Sequence, residues 1–199
     1  MTVGKRLVDL AAAVVALLVL SPLLLLAAIA AGLSSPGPIL FRQERVGRGG
    51  ALFRMNKFRT MRADAEAGPA LTVGNDPRIT RIGALLRASK IDELPQLLNV
   101  IAGDMSVVGP RPEVTKYVAL WPPALREEIL SVRPGMTDPA SIKFRNESDV
   151  LAQYPDPERA YREIIMPEKL QLYAAYVRTH TLIGDLRLLG QTVAAVLHG

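Results

Sequence analysis

The chain has 199 residues, 49% hydrophobic and 22% charged, which excludes a disordered or collagen-like protein. Lysine and arginine number 24 against 19 acidic residues, and the net charge of +5 favours anionic partners such as lipid headgroups or nucleotide phosphates. With no cysteine and two histidines, the composition excludes disulfide scaffolds and thiolate chemistry and disfavours a multi-histidine metal cage. Catalysis would have to use carboxylates, hydroxyls, Lys or Tyr.

The apolar residues are concentrated near the N-terminus, where no charge occurs between Leu10 and Leu33. As a straight helix this run would measure about 36 Å, longer than the hydrocarbon core of about 30 Å. A signal peptide, a bitopic span and a re-entrant hairpin all fit such a run. Ser21-Pro22 predicts a kink near its middle, and basic residues flank both ends. The residues predict membrane association and leave a simple span and re-entry equally open.

The remaining chain alternates short apolar patterns with turn signals. In order, the patterns predict a β-hairpin (Ile39–Val46 and Ala51–Lys57), a polar loop (63–76), and amphipathic helices over Arg78–Ala88 and Leu94–Ile101. A mostly helical stretch (Glu113–Leu130), a loop (Arg133–Pro139) and three helices (Glu158–Ile165, Glu168–Thr179 and Leu182–Leu197) follow. This predicts a helix-rich α+β fold with a membrane anchor over residues 1–36 and a membrane-interface domain over 37–199. Trp121, Tyr173 and Tyr176 fit either interfacial anchors or ordinary core.

Asp92-Glu93 is the sharpest chemical feature, since it lies where the second amphipathic helix starts. Asp is a favoured N-cap, and Ser89 three residues earlier also fits a capping box, so a structural role competes with a chemical one. Two neighbouring carboxylates can share Mg²⁺, with one attacking phosphorus and the other holding the metal or managing a proton.

Many cations surround this dyad in the sequence: Lys57, Arg59, Arg62, Arg78, Arg81, Arg87, Lys90 and Arg111. For most of them a solvated basic face against anionic lipid is the simpler interpretation. Arg111 differs because Pro110 and Pro112 stiffen its loop, which suits bidentate phosphate binding. The glycines at 47, 49 and 50 indicate a tight hairpin turn better than a phosphate loop. Aromatic residues make up only 5% and show no interleaved stacking pattern, so nucleic acid is not an expected partner.

Four motifs occur in order: Phe41–Gly47, Lys57–Met61, Asp92–Gln96 and Gly103–Pro112. The series resembles the bacterial sugar transferase family, the small monotopic polyprenyl-phosphate phosphoglycosyl transferases, and covers nearly the whole chain. The resemblance extends to the N-terminal Lys5-Arg6-x-x-Asp9 and to Ser21-Pro22, which are similar to that family's re-entrant membrane helix. It therefore favours re-entry.

The resemblance implies transfer of a phosphosugar from a nucleoside diphosphate sugar, usually a UDP-sugar, to polyprenyl phosphate in the bacterial cytoplasmic membrane, on its cytoplasmic face. By similarity, Asp92 forms a covalent phosphosugar intermediate and expels UMP, while Glu93 assists with Mg²⁺ or a proton. The implied phosphate-binding residues are Arg111, Arg87, Lys57, Arg59 and Asp185.

Two segments depart from the family pattern, Met136–Ser141 and Tyr154–Ile165, where selection of the sugar or nucleobase is expected. The donor sugar, the polyprenol length and the oligomeric state, a homo-oligomer included, therefore stay open. A glycosyltransferase that releases UDP and a non-catalytic basic membrane adaptor are the alternative functions.

Overall fold

The structure is a computed structural model that describes residues 2–62, 71–74 and 76–198. Its helices are α1 (Val3–Val19), α2 (Ser21–Ser34), α3 (Arg81–Ala88), α4 (Gln96–Ala102), α5 (Thr115–Val118), α6 (Pro123–Leu130), α7 (Pro139–Lys143), α8 (Glu147–Leu151), α9 (Pro157–Ala160), α10 (Met166–Thr179) and α11 (Leu182–His198). Its strands are β1 (Leu40–Val46), β2 (Leu52–Phe58), β3 (Ser106–Val108) and β4 (Gly135–Thr137). The helix-rich α+β class is confirmed, while most of the predicted 63–76 loop lies outside the described residues.

The first two helices form a bent pair. The bend between α1 and α2 measures 68°. At the break the Ser21 hydroxyl donates to the Leu18 carbonyl at 2.8 Å, and Pro22 lies in the first turn of α2, where a missing N–H is tolerated. The predicted kink is confirmed. Within the described residues no single helix has the length and apolarity to cross a bilayer, whereas the bent pair passes both criteria together.

The predicted hairpin is present as β1 and β2, which pair antiparallel from Leu40 opposite Phe58 to Val46 opposite Leu52. Between the strands, Gly49 and Gly50 adopt φ values of 66° and 83°, which L side chains adopt only with strain. The glycines therefore build a tight turn. The hairpin carries Lys57 and Arg59 at the end of β2 and just beyond it.

A second, parallel sheet was missed by the sequence patterns. β4 lies inside the segment predicted as a loop over Arg133–Pro139, and it pairs with β3 through Ser106 opposite Gly135 and Val108 opposite Thr137. A Cβ on Gly135 would lie 2.1 Å from the backbone nitrogen of Gly109, so glycine is required for this approach. Each strand has only three residues, too few to show an alternation in sequence.

The core consists of three buried clusters. One surrounds Trp121 and Tyr173 among α5, α6 and α10, a second lies under β3 and includes Tyr176, and a third joins α2 to α3. All three aromatics therefore belong to the core. A π turn at Tyr161–Ile165 joins α9 to α10, so the helices predicted as separate are continuous.

Candidate active site

Asp92 and Glu93 lie in a short 3₁₀ turn, Ile91–Glu93, between α3 and α4. The turn is entered through Lys90 with φ of 57°, the only non-glycine residue in the described ranges with positive φ. Such a conformation costs of the order of 1–3 kcal/mol and persists only where surrounding structure imposes it. The backbone strain therefore lies two residues before the carboxylate pair.

The Asp92 carboxylate is buried, with 7% of the residue exposed, yet it makes no hydrogen bond or ion pair to any residue that the structure describes. The N-cap alternative is wrong, since α4 begins after Pro95 without a side-chain cap. The capping-box alternative is also wrong, because the Ser89 hydroxyl donates to the Leu85 carbonyl at 2.8 Å. Asp92 thus keeps both oxygens free for a ligand.

Glu93 is bound by two cations. Lys57 Nζ lies 3.0 Å from Glu93 Oε1, and Arg111 donates Nη1 to Oε2 at 3.0 Å and Nη2 to Oε1. The contact with Arg111 is bidentate, the geometry in which a guanidinium also binds phosphate. Three candidates from separate parts of the sequence therefore meet at one point beside Asp92.

The two carboxylates titrate in opposite directions. Burial, followed by the negative charge of Glu93, raises the pKa of Asp92 to about 6, although Lys57, Arg87 and Lys90 oppose the shift. Burial alone would raise the pKa of Glu93, but Arg111 and Lys57 outweigh it and hold that pKa well below its usual range. Such a divided pair is typical of sites where two acids have different roles. Near neutral pH, the Asp92 carboxylate is therefore mostly ionised and has no pairing partner among the described residues.

The other predicted phosphate ligands are placed differently. Arg87 lies close enough to Asp92 to lower its pKa, and its Nη2 donates to Thr72 Oγ1 at 3.0 Å. Arg59 is buried and donates to the carbonyls of Ala31, Ser35 and Pro38, where it holds the end of α2. This arrangement therefore does not support Arg59 as a phosphate ligand.

Asp185 lies in a separate buried cluster. Its carboxylate pairs with Lys5 Nζ at 2.6 Å and accepts from the Tyr176 hydroxyl at 2.8 Å. The structure therefore does not bring Asp185 to the cations around Glu93, and this arrangement does not support it as a phosphate-binding residue.

The described residues contain no group of three or more acidic or histidine side chains that could hold a metal ion by themselves. Mg²⁺, however, is usually bound by one or two carboxylates together with substrate phosphates. The free carboxylate of Asp92 beside that of Glu93 offers this donor set. The dyad therefore fits a magnesium ion that is shared with a phosphate-bearing substrate.

Arg45 and Glu113 were not among the predicted site residues. Arg45 Nη1 donates to Glu113 Oε1 at 2.9 Å and to the Pro112 carbonyl at 3.2 Å, directly behind the loop that carries Arg111. The Tyr161 hydroxyl donates to Glu113 Oε2 at 2.6 Å. Arg45 stands in the Phe41–Gly47 motif, so the signal was present, but nothing in the sequence paired it with Glu113.

The family model described as bacterial sugar transferase matches residues 1–199. The chain belongs to this family. The family resemblance carried by the four motifs is thereby confirmed, and the Asp92–Glu93 turn is a candidate active site of a sugar transferase.

Among curated relatives, the chain is 40% identical over 198 residues to the UDP-glucose:undecaprenyl-phosphate glucose-1-phosphate transferase of Caulobacter vibrioides, covering 97% of this chain and 69% of the relative. It is 42% identical over 203 residues to the exopolysaccharide production protein PSS of Rhizobium leguminosarum, covering 97% and 94%. It is 36% identical over 200 residues to the UDP-N-acetylgalactosamine-undecaprenyl-phosphate N-acetylgalactosaminephosphotransferase of Aeromonas hydrophila, covering 98% of this chain and 44% of the relative. Two of these relatives are named for different sugars, so likeness alone does not choose the donor.

Proposed function

We propose that this sugar transferase moves a phosphosugar from a UDP-sugar to polyprenyl phosphate and releases UMP, as a first step in assembling a membrane glycoconjugate or exopolysaccharide. The relatives named as sugar-phosphate transferases support the reaction class. The observation that carries the mechanism is the buried, unpaired Asp92 carboxylate beside a Glu93 that two cations hold.

In the first step an Asp92 oxygen attacks the phosphorus that bears the sugar. The bond between that phosphorus and the oxygen bridging the two phosphates breaks, so UMP leaves and the sugar phosphate stays on Asp92 as an acyl phosphate. In the second step an oxygen of polyprenyl phosphate attacks the same phosphorus, the acyl-phosphate bond breaks, and the carboxylate is regenerated. Splitting the transfer in this way means that donor and acceptor need not occupy the site together.

The surrounding cations stabilise the charge that develops on the transferred phosphoryl group. Arg111 and Lys57, which Glu93 holds in place, are the proposed phosphate ligands, and Arg87 lies near enough to Asp92 to contribute. The free Asp92 carboxylate, with Glu93 beside it, would hold Mg²⁺ together with the substrate phosphates, and the ion would supply further charge neutralisation. Glu93 also keeps the negative charge next to Asp92 that helps to raise its pKa.

We propose that α1 and α2 form a re-entrant anchor whose two ends lie on the same, cytoplasmic face of the bacterial inner membrane. Both ends are attached to the domain with the dyad: Arg6 Nη1 donates to the Val100 carbonyl at 2.7 Å, and Arg59 binds carbonyls at the end of α2. In a helix that crossed the bilayer, the two ends would lie about 30 Å apart on opposite faces.

Exposed apolar side chains cover the outward faces of the anchor, namely Leu7, Val14, Val15, Leu18, Val19, Leu23, Leu25, Leu26, Ile29 and Leu33. Further exposed ones lie on α3, α4 and α11: Leu85, Leu98, Ile101, Leu182, Ile183, Leu186 and Val193. Extensive exposed apolar surface of this kind is typical of membrane-interacting faces. It would place the dyad at the headgroup plane, where a soluble nucleotide sugar can meet a lipid phosphate.

The reaction is tested by incubating the purified enzyme with UDP-glucose or UDP-N-acetylgalactosamine, undecaprenyl phosphate and Mg²⁺, and identifying the nucleotide product. We expect UMP; UDP would indicate the alternative glycosyltransferase, which moves the sugar without its phosphate. Asp92→Asn should abolish turnover while membrane binding is unchanged. Asp149→Asn, the same chemical change at an exposed carboxylate of α8, should keep activity. Full turnover by Asp92→Asn would reject the mechanism, and absence of turnover by the wild type across a panel of UDP-sugars would favour the adaptor.

A further inference from the structure

A buried polar network joins the membrane helix α1 to the short strand β3. Lys5 Nζ lies 2.6 Å from Asp185 Oδ2 and 3.7 Å from Asp9 Oδ1. The network also includes hydroxyl groups, and every member is at most 8% exposed: Lys5, Asp9, Ser106, Tyr176 and Asp185. None of these residues has a part in the proposed chemistry at Asp92. Buried charged groups destabilise a fold unless each one is paired and hydrogen-bonded.

Asp9 binds β3 directly. Its Oδ2 accepts from the Ser106 hydroxyl at 2.8 Å, and its Oδ1 accepts from the Val107 backbone N–H at 3.2 Å. On the opposite edge β3 pairs with β4, and the Ser106 N–H donates to the Pro134 carbonyl at 2.8 Å. The N–H of Val107 points away from β4, since successive residues of a strand alternate their edges. The Asp9 carboxylate therefore binds the edge of β3 that does not pair with β4.

Tyr176 holds the next residue of β3. Its hydroxyl lies 2.8 Å from Asp185 Oδ1 and 3.0 Å from the Val108 carbonyl oxygen, and can give its single proton to either. Two carboxylates and one ammonium leave the network one negative charge in excess. The Ser106 hydroxyl, the Val107 N–H and the Tyr176 hydroxyl offset that excess as neutral donors. Both hydroxyls also lie within hydrogen-bond distance of the Val108 carbonyl, so they link the two carboxylates to β3.

A very short segment connects β3 to the active-site residue Arg111. Gly109 and Pro110 alone lie between β3 and Arg111. The Gly109 N–H donates to the Thr137 carbonyl at 3.0 Å, and the Gly135 N–H donates to the Pro110 carbonyl at 2.9 Å. A shift of β3 would therefore move the backbone of Arg111 as well.

We propose that Lys5, Asp9, Tyr176 and Asp185 are positioning residues that fix β3, and through it Arg111, relative to the membrane helix α1. The inference rests on the proposed function, in which Arg111 binds the substrate phosphate beside Asp92. A lipid acceptor is held at a depth that the bilayer sets, whereas Asp92 and Arg111 belong to the interface domain. The network fixes the position of the Arg111 guanidinium relative to α1, which is embedded in that bilayer.

Tyr176→Phe tests the proposal because it removes one hydroxyl and keeps the buried ring. We expect kcat/KM for UMP release to fall about tenfold or more, since misplacement of a positioning group by about 1 Å can cost about 100-fold. Tyr117→Phe is the matched control: Tyr117 is also a buried tyrosine, and it donates to the Glu158 carboxylate at 2.8 Å, outside the network. It should stay within about twofold of wild type.

Combination with Arg111→Lys separates positioning from a merely structural role. If Tyr176 acts through Arg111, Tyr176→Phe should have little further effect on kcat/KM once the guanidinium is gone. Equal fold-losses in both backgrounds, or unchanged kcat/KM in Tyr176→Phe, would overturn the proposal. Should Tyr176→Phe fail to fold, Asp185→Asn enters the same cycle. Failure of the proposed function would look different, because Asp92→Asn would then retain UMP release.

Discussion

Replacing Asp92 by Asn should stabilise the protein at neutral pH while it abolishes transfer. The folded protein raises the pKa of this carboxyl from 3.8 to about 6, chiefly because the charged form is buried. This rise corresponds to about 3 kcal/mol by which folding disfavours the ionised carboxylate. Asn has nearly the same shape and carries no charge, so the variant avoids this cost.

Because folding raises the pKa of Asp92, the stability difference between wild type and Asp92→Asn depends on pH. A raised folded-state pKa means that the folded protein binds more protons than the unfolded chain between pH 3.8 and about 6. Wild-type stability therefore falls relative to Asp92→Asn across that window and stays lower above it. For a chain of this size, about 3 kcal/mol corresponds to a rise in Tm of roughly 6–12 °C.

The assay is thermal unfolding of both proteins in the same detergent at pH 7.5 and pH 4, with Asp149→Asn as the control for the chemical change. We expect a higher Tm for Asp92→Asn at pH 7.5 and near-equal Tm values at pH 4. A variant that is less stable than wild type at pH 7.5, or a difference that does not depend on pH, would refute the account of Asp92 as an unpaired buried charge.

Three further outcomes follow from the same geometry. Glu93→Gln removes a neighbouring negative charge and frees two cations, so the acid limb of kcat/KM for UMP release, set by the pKa of Asp92, should move to lower pH; an unmoved limb would contradict the coupling. Arg111→Lys loses the bidentate fork and should lower kcat/KM roughly 10- to 100-fold, whereas the exposed control Arg126→Lys should not, and equal activity of the two variants would reject Arg111 as a phosphate ligand. Because the chain has no cysteine, Thr2→Cys and Arg126→Cys can each be labelled singly in oriented vesicles, and both should react from the cytoplasmic face; labelling from opposite faces would defeat re-entry.

Local patterns predicted much of the fold. The alternation and glycines of β1 and β2 predicted the hairpin, and Ser21-Pro22 predicted the break between α1 and α2, because each depends on residues close in sequence. The pairing of β3 with β4 depends on the close approach of Gly109 to Gly135. A pattern of neighbouring residues cannot predict this contact, because the two glycines are far apart in sequence. The missed sheet is therefore a long-range feature.

The candidate site was likewise predicted from the sequence only in part. Asp92, Glu93 and Arg111 were predicted from their types and settings, and Lys57 and Arg111 meet at Glu93 in the structure. Arg59 and Lys57 are both cations of the same Lys57–Met61 motif, so the sequence does not distinguish their roles. In the structure, the Arg59 guanidinium binds carbonyls at the end of α2. Composition identifies the available cations, whereas tertiary packing decides which of them face the carboxylate pair.

The covalent intermediate is tested most directly by incubating wild-type enzyme with UDP-sugar and Mg²⁺, without polyprenyl phosphate, and quenching the mixture for intact and peptide mass spectrometry. We expect UMP release of at most one equivalent, a protein mass gain equal to one sugar phosphate, and an adduct on the peptide that contains Asp92. Adding polyprenyl phosphate to the unquenched mixture should remove the adduct. An adduct on another residue, or full transfer with neither an adduct nor UMP release before the acceptor is added, would contradict a covalent intermediate on Asp92.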